Sequence, residues 1–279
     1  MDFAMGGDSV RALVDAELRL VTDLLKKSTY SDATGKRLFK VAAEMGRIAG
    51  WASFDAGYHA AAERYWVAAL RASHVARDRA MGANILKSMS LQRVDSGRAK
   101  EALELAEAAV TGASAAPPRV RAMLATRQAR SHAYLGEASA CDKALGEAEK
   151  AMSKADGRRS PGWAKYFNNS EFCAQVAACH LLLERPTKAD DWLTQSLEVQ
   201  PESNRRDRAT YLIWQADAAH QLGDVDRACA LVTTAIPDVV EAPSARNQRR
   251  LIDINSQLAE HKLRSTDELN EKVRAVVAA

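Results

Sequence analysis

The stretch that decides the fold is SLQRVDSGRAKEALELAEAA, residues 90–109. It begins with the small residue Ser90, and a glycine follows at Gly97. Small residues return at Ala102 and Ala109. A glycine at a helix end takes the left-handed backbone conformation that other residues resist, and small residues at fixed offsets let two helices pack closely. The stretch therefore predicts a helix, a glycine turn and a second helix that folds back on the first.

The same pattern of small residue, turn residue and two further small residues occurs five times along the chain. The turn residue is a glycine in four units and Glu184 in the remaining one. Each unit is a helical hairpin that can bury its apolar face only by stacking on a neighbour. The units are Gly50, Gly57, Ala62 and Ala69; Ser90, Gly97, Ala102 and Ala109; Ala129, Gly136, Cys141 and Ala148; Ala177, Glu184, Ala189 and Ser196; Ala216, Gly223, Ala228 and Ala235.

These offsets are typical of tetratricopeptide repeats, although the units are longer than the roughly 34 residues of the standard repeat. We therefore predict an all-α fold, a right-handed α-solenoid of tetratricopeptide-like helical hairpins. No linker divides the sequence, so we expect a single domain over residues 1–279. An N-terminal helix is predicted at 9–27 and C-terminal capping helices at 244–278. The five hairpins are predicted at 32–75, 78–112, 117–154, 162–199 and 204–239.

The composition excludes several classes of protein. Lys and Arg number 39 against 36 for Asp and Glu, and the resulting charge of +3 is too small for a dedicated nucleic-acid binder. No stretch reaches the roughly 18 consecutive apolar residues of a transmembrane helix, and no secretory signal follows Met1. We therefore expect no membrane association and a cytoplasmic location, in which the four cysteines remain reduced.

The sequence contains none of the usual catalytic or metal-binding patterns. GxGxxG after a strand, the P-loop pattern, HExxH, GxSxG and CxxC are all absent. We therefore predict no catalytic residue, no cofactor and no metal. The basic cluster Arg205-Arg206-Asp207-Arg208 is interpreted as a solvated face, because an acid interrupts it and no recognition helix accompanies it.

The inner face of the stacked first helices is the predicted binding groove. Its carboxamides can pair with a peptide backbone, its cations can hold a carboxylate, and its aromatic rings can cover apolar side chains. The alternative is that the aromatic rings belong to the core and the polar groups are only solvated. The predicted ligand-binding residues are Asn84, Asn168, Asn169, Arg47, Lys87, Arg130, Trp51, Tyr134 and Trp214.

Several segments near the beginning of the chain are more specific than the repeat pattern. They are Tyr30-Ser31-Asp32-Ala33-Thr34-Gly35, Ala42-Ala43-Glu44, Ala49-Gly50-Trp51, Phe54-Asp55-Ala56-Gly57, Arg64-Tyr65, Ala68-Ala69-Leu70-Arg71 and Asp78-Arg79-Ala80. Together they resemble the C-terminal tetratricopeptide-like sensor region of actinobacterial Xre-type helix-turn-helix transcriptional regulators. The resemblance implies that the repeats sense a ligand or contact a partner. Fewer than 30 residues precede these segments, so the helix-turn-helix domain of those regulators is missing from this sequence. Either the sequence is a piece of a longer protein or it is a stand-alone relative, and we expect no direct DNA binding by this chain.

We expect a non-catalytic helical-repeat protein that acts in transcriptional regulation or signalling. Its groove would bind a peptide, a small signal molecule or a protein partner. One alternative is a scaffold or dimerisation module without a small ligand, which would form a homodimer through the helices near 244–278. Another is an atypical biosynthetic enzyme, which would need perturbed ionisable groups that converge in a pocket.

Overall fold

The chain is helical throughout the part that the structure describes. The computed structural model describes residues 7–155 and 159–277, and these contain thirteen α-helices, one 3-10 helix and no strand. Ala278, the last residue of the predicted capping helices, lies outside them. None of these helices combines the length and the apolar character that a bilayer-spanning segment needs. The helices are α1 (Gly7–Lys27), α2 (Asp32–Asp55), α3 (His59–Val75), α4 (Arg79–Asp95), α5 (Ala99–Gly112), α6 (Pro118–Tyr134), α7 (Ala138–Met152), the 3-10 helix (Gly162–Ala164), α8 (Asn169–Leu182), α9 (Pro186–Glu198), α10 (Arg205–Gln221), α11 (Val225–Glu241), α12 (Ala245–Ala259) and α13 (Arg264–Val277).

The chain divides into two compact units, one up to Lys165 and one from Tyr166 onward. In the first unit, α1 packs against α2, and the pairs α2–α3, α4–α5 and α6–α7 form three hairpins. In the second unit, α8–α9 and α10–α11 form two hairpins, and α12 and α13 pack against each other and against α11. The expected all-α fold of tetratricopeptide-like hairpins is confirmed. That the whole chain forms one continuous domain stays a prediction.

Every turn inside a hairpin contains one residue with a left-handed backbone. The residue is a glycine in four hairpins, with φ of 86° at Gly57, 73° at Gly97, 73° at Gly136 and 82° at Gly223. Glu184 takes the same place between α8 and α9 with φ of 53°, as the repeat pattern predicts. This conformation costs a residue with a Cβ about 1–2 kcal/mol. The four glycines therefore reverse the chain at the lowest cost.

The small residues of the repeat pattern lie where the two helices of a hairpin meet. A Cβ added to Gly50 in α2 would lie 2.3 Å from Cδ1 of Trp66 in α3, so no side chain fits there unless the ring moves. Trp66 is fully buried, and its ring N–H donates to the backbone carbonyl of Arg47 at 3.3 Å. In the second hairpin, the Ser90 hydroxyl donates to the carbonyl of Ala102 at 2.8 Å and so joins α4 to α5. The other small residues of the pattern are at most 1% exposed: Ala62, Ala69, Ala109, Ala129, Cys141, Ala148, Ala177, Ala189, Ser196, Ala216, Ala228 and Ala235.

The first helix of the fourth hairpin, α8, begins at Asn169 and not near residue 162. Residues around 162 form the short 3-10 helix instead. The start of α8 is fixed by Asn168, whose side-chain oxygen accepts a hydrogen bond from the backbone N–H of Glu171 at 3.0 Å. Pro186 lies in the first turn of α9, where proline is tolerated because a residue in that position needs no backbone N–H.

The segment that follows α7 returns to the beginning of the first unit. Trp163, in the 3-10 helix, packs against the apolar core built by α2, α3 and α4, called here the first core. The buried members of the first core include Phe54, Trp66 and Leu91. Ala164, next to the tryptophan, is fully buried. Because stacked repeats normally touch only their neighbours, this contact is an additional link between the end of the unit and the first core.

We expect Gly97→Ala to lower the free energy of unfolding by about 1 kcal/mol, because alanine is strained in the left-handed region. The added methyl group would meet nothing within 4 Å, so backbone strain alone carries the effect. Gly146→Ala is the matched control. Gly146 lies inside α7 with the same empty surroundings, and alanine should stabilise this helix interior by roughly 0.5–1 kcal/mol. Urea unfolding followed by circular dichroism measures both variants, and shifts of the same sign would contradict the turn geometry.

Candidate functional site

The first helices of the second and third hairpins, α4 and α6, pack against each other and carry buried polar side chains. Three of the predicted site residues are among these side chains. Asn84 is 1% exposed, and Lys87 and Arg130 are each 6% exposed. Arg127, which the sequence analysis did not single out, is 7% exposed and lies one turn before Arg130. These four residues are called here the α4–α6 face.

Asn84 combines burial with an incomplete set of hydrogen bonds. Its backbone carbonyl accepts a hydrogen bond from the Ser88 hydroxyl at 3.2 Å. Its side-chain Nδ2 is buried and has no acceptor among the described residues. An unpaired buried donor of this kind costs about 1–3 kcal/mol. A carbonyl or carboxylate oxygen on a ligand that reached Nδ2 would remove this cost.

Positive charge predominates among the buried ionisable side chains of the first unit. Among its described residues, the cations below one-tenth exposure are Lys87, Arg127 and Arg130, and the carboxylate is that of Asp55. All four side chains take part in interactions within the chain, and the three cations leave positive charge in excess over the carboxylate of Asp55. Arginine and lysine bind carboxylates through short, charge-assisted hydrogen bonds. The α4–α6 face therefore suits an anionic group better than a neutral one.

The aromatic side chains predicted for the groove of the first unit differ in their exposure. Trp51 is half-buried, and its ring meets that of Phe54 edge-on with the ring centroids 5.8 Å apart. Phe54 is fully buried against Trp66, so Trp51 is anchored in the first core. Tyr134, the last residue of α6, is 39% exposed. Arg47, one turn before Trp51 on α2, is half-buried.

The remaining three predicted residues lie in the second unit. Asn168 caps α8, so its side-chain oxygen serves the helix, and Asn169 is the exposed first residue of that helix. Trp214 in α10 is half-buried, with its ring centroid 6.1 Å from that of Tyr211. The guanidinium group of Arg250 lies 5.5 Å from the same Trp214 ring. The predicted set is thus divided between the two units, and its joint action in one groove stays a prediction.

The sequence analysis missed a polar pair that joins α10 to α8 in the second unit. The Tyr211 hydroxyl donates a hydrogen bond to the carboxylate of Glu171. Burial raises the pKa of Tyr211 well above its ordinary value, and the negative charge of Glu171 raises this pKa further. Tyr211 therefore remains a hydrogen-bond donor at neutral pH. No sequence signal connects the two residues, because they lie on different hairpins.

The reactive side chains of the described chain are held in protonated or buried states. Its cysteines are all buried, and none of them forms a disulfide. Burial raises the pKa of the Cys173 and Cys229 thiols, so both stay in the form that is a poor nucleophile. Burial likewise raises the pKa of Asp217. Among the described residues, no group of three or more histidine, cysteine or acidic side chains is placed to hold a metal ion.

The interpretation of Arg205-Arg206-Asp207-Arg208 as a solvated face is wrong. Arg206 is only 7% exposed. The side chains of Arg205 and Arg208 form ion pairs with Asp238 of α11, at N–O distances of 3.1 and 2.6 Å. The Asp238 side chain is 1% exposed, so the two arginines compensate a buried carboxylate. The cluster therefore joins α10 to α11 inside the fifth hairpin.

We expect the double variant Arg205→Gln with Arg208→Gln to lose more stability than Asp238→Asn. The double variant leaves a buried carboxylate without compensation, which costs about 3–5 kcal/mol. In Asp238→Asn the two arginines are 43% and 33% exposed and can return to water, so the loss should be about 1–2 kcal/mol. Urea unfolding of the three proteins measures the difference. Equal losses would contradict the role of the arginines as partners of a buried acid.

Comparison with known proteins finds similarity in the fold but no matching sequence family. No protein-family model matches the chain, and no curated protein matches it. A solved structure of a monomeric IFIT1 mutant with m7Gppp-AAAA has a TM-score of 0.51 and 14% identity, and the match covers 97% of this chain and 64% of that one. This chain thus spans less than two thirds of the IFIT1 structure, and the likeness supports the all-helical fold alone.

Two bacterial structures are similar at lower scores. One is the C-terminal part of a TPR repeat-containing protein from Cytophaga hutchinsonii, with a TM-score of 0.38, 13% identity and coverage of 93% of this chain and 95% of that one. The other is a tetratricopeptide repeat protein from Parabacteroides merdae, with a TM-score of 0.33, 14% identity and coverage of 85% of this chain and 99% of that one.

Proposed function

We propose that this chain is a non-catalytic binding protein whose α4–α6 face holds a peptide that ends in a carboxylate. The observation that carries the proposal is the buried Nδ2 of Asn84, which lacks an acceptor within the described chain. It lies one helical turn from Lys87, and α6 adds the buried cations Arg127 and Arg130. A peptide offers a backbone oxygen to the amide and a carboxylate to the cations.

Two aromatic side chains that the sequence predicts for the same groove favour an elongated ligand over a simple anion. Tyr134 is partly exposed at the end of α6, and Trp51 is half-buried on α2. Both can cover apolar side chains that flank the carboxylate of a peptide. A ligand that touches α4 and α6 together would favour one arrangement of the second and third hairpins, and it can do so only by binding that arrangement more tightly.

We further propose that this binding event serves transcriptional regulation or signalling in the cytoplasm. The proposal rests on the resemblance of residues 30–110 to the sensor region of Xre-type regulators. The absence of a disulfide among the four buried cysteines agrees with a reducing compartment. The chain itself would contact no DNA, because two of the three arginines in its dense basic cluster are engaged with Asp238.

A fluorescein-labelled pool of random pentapeptides with a free C-terminal carboxylate tests the binding site by fluorescence anisotropy. We expect the free-carboxylate pool to bind and the same pool with a C-terminal amide to bind at least tenfold more weakly. Asn84→Leu should reduce the affinity about tenfold, the effect of one lost hydrogen bond to a ligand. It should leave the thermal midpoint unchanged or higher, because it removes an unpaired buried donor.

Lys87→Met should also weaken binding, whereas Lys100→Met, which removes an exposed charge from α5, is the matched control and should not. Equal affinities for Asn84→Leu and the unmodified protein would remove the α4–α6 face from the site. Equal affinities for the free-carboxylate and amide pools would remove the carboxylate from the proposal.

A second candidate function is self-association through α12 and α13, where apolar side chains are exposed. Ile252, Leu263 and Val277 are 41%, 42% and 51% exposed. We expect light scattering to report a dimer that Ile252→Asp converts to a monomer, because a buried aspartate would be uncompensated. Gln257→Asp, exposed on α12 and about 140° around the helix from Ile252, is the control for added charge. A monomer at all concentrations of the unmodified protein would exclude this candidate.

A further inference from the structure

A cavity of about 950 Å³ lies in the first unit between α3, α4 and α5. Apolar and small side chains contribute to its wall, among them Leu70 of α3, Ala83 and Leu86 of α4, and Ala108 of α5. Leu70 and Leu86 are half-buried, so they offer apolar surface without being sealed in the core. This size and lining are those of a ligand pocket.

Basic side chains line the same cavity. Arg71, His74, Arg77 and Arg79 all line it, and all are exposed. The carboxylate in the lining is that of Asp78, and its Oδ1 is engaged as the cap of α4, accepting from the N–H of Met81 at 3.0 Å. Within the described residues, no ion pair joins the three arginines of this lining to an acidic side chain. Their charge is thus available to a partner.

The cavity is distinct from the α4–α6 face, although both use α4. Ala83 and Leu86 each precede a residue of that face, Asn84 and Lys87. Consecutive residues of a helix point about 100° apart. One surface of α4 therefore contributes to the cavity and another carries the buried amide and ammonium groups, so occupation of one site does not require the other.

The charges select the class of ligand. A cavity lined by one sign of charge concentrates counter-ions of the opposite sign, and arginine is the side chain best suited to a carboxylate. Three arginines and a histidine are more than one carboxylate can engage, and the wall between them is apolar. We propose that this cavity binds an acidic peptide segment, in which carboxylates on both sides of one apolar side chain meet the arginines while that side chain contacts Leu70 and Leu86.

Arg77 allows a test that separates binding from folding. Its φ is 56°, in the left-handed region that glycine adopts without strain. Arg77→Gly therefore removes one charge from the cavity while it relieves the backbone. A loss of binding in this variant with an unchanged or higher thermal midpoint cannot come from unfolding. Lys100→Gln on α5 is the matched control, since it removes an exposed charge outside the cavity.

The probe is the fluorescein-labelled peptide Glu-Asp-Leu-Asp-Glu, followed by fluorescence anisotropy with the full chain at low salt. We expect binding that weakens with added salt. Arg77→Gly combined with Arg71→Gln should reduce the affinity at least tenfold, and Lys100→Gln should leave it unchanged. The amide peptide Gln-Asn-Leu-Asn-Gln should not bind, and Glu-Asp-Gly-Asp-Glu should bind about tenfold more weakly because it lacks the apolar side chain.

Several results would overturn the proposal. One is the absence of binding to the unmodified chain. Another is a loss of affinity for the acidic peptide in Lys87→Met that does not occur in Arg77→Gly. That result would assign the acidic peptide to the α4–α6 face. Binding of dodecanoate or inorganic phosphate that is sensitive to Arg77→Gly, without binding of the peptide, would assign the cavity to a small anion. Because the random pentapeptide pool reports on Asn84 and this probe on Arg77, each site can fail without the other.

Discussion

The structure depends on the close approach of paired helices at side chains no larger than a hydroxymethyl or thiol group. At Gly50 the approach leaves no room for a methyl group, because the ring of Trp66 occupies that space. A displaced Trp66 would disturb the first core, against which α4 packs, and the polar side chains of α4 would move with it. The interior is close-packed and transmits such shifts. The position of Asn84 and Lys87 is therefore set by a contact in the preceding hairpin.

Two buried carboxamides of α4 differ in whether the fold satisfies their hydrogen bonds. Gln92 is 1% exposed, and its Nε2 donates to the backbone carbonyl of His59 at 2.8 Å, which links α4 to the start of α3. Asn84 is equally buried, but its Nδ2 has no acceptor among the described residues. A satisfied buried group rigidifies the fold, whereas an unsatisfied one calls for a further partner, such as an ordered water or a ligand. This difference is the basis for placing the binding site at Asn84 and not at Gln92.

The sequence was sufficient for the hairpins because their constraints are local. A small residue, a left-handed turn and two small residues lie within one segment, and even the exception at Glu184 adopts the expected backbone.

Contacts between distant segments were not predicted from the sequence. The Arg205–Arg208 cluster was interpreted as solvated because its partner, Asp238, lies on the next helix and its burial depends on packing. The start of α8 was placed too early because nothing in the spacing showed that Asn168 would cap it. Likewise, the cavity beside Arg77 arises from three helices and has no signature in any one of them.

The return of Trp163 to the first core changes how the first unit should behave as a chain of repeats. In an ordinary array, a terminal repeat can fray while the others persist, since each link is to a neighbour only. Here Trp163, which follows the last hairpin of the unit, packs against the first core, whose buried residues come from the first two hairpins. Unfolding of the segment after α7 would remove Trp163 from the first core and expose part of that core. Unfolding of the third hairpin would therefore destabilise the first two. We therefore expect the three hairpins to unfold cooperatively, and not one repeat at a time.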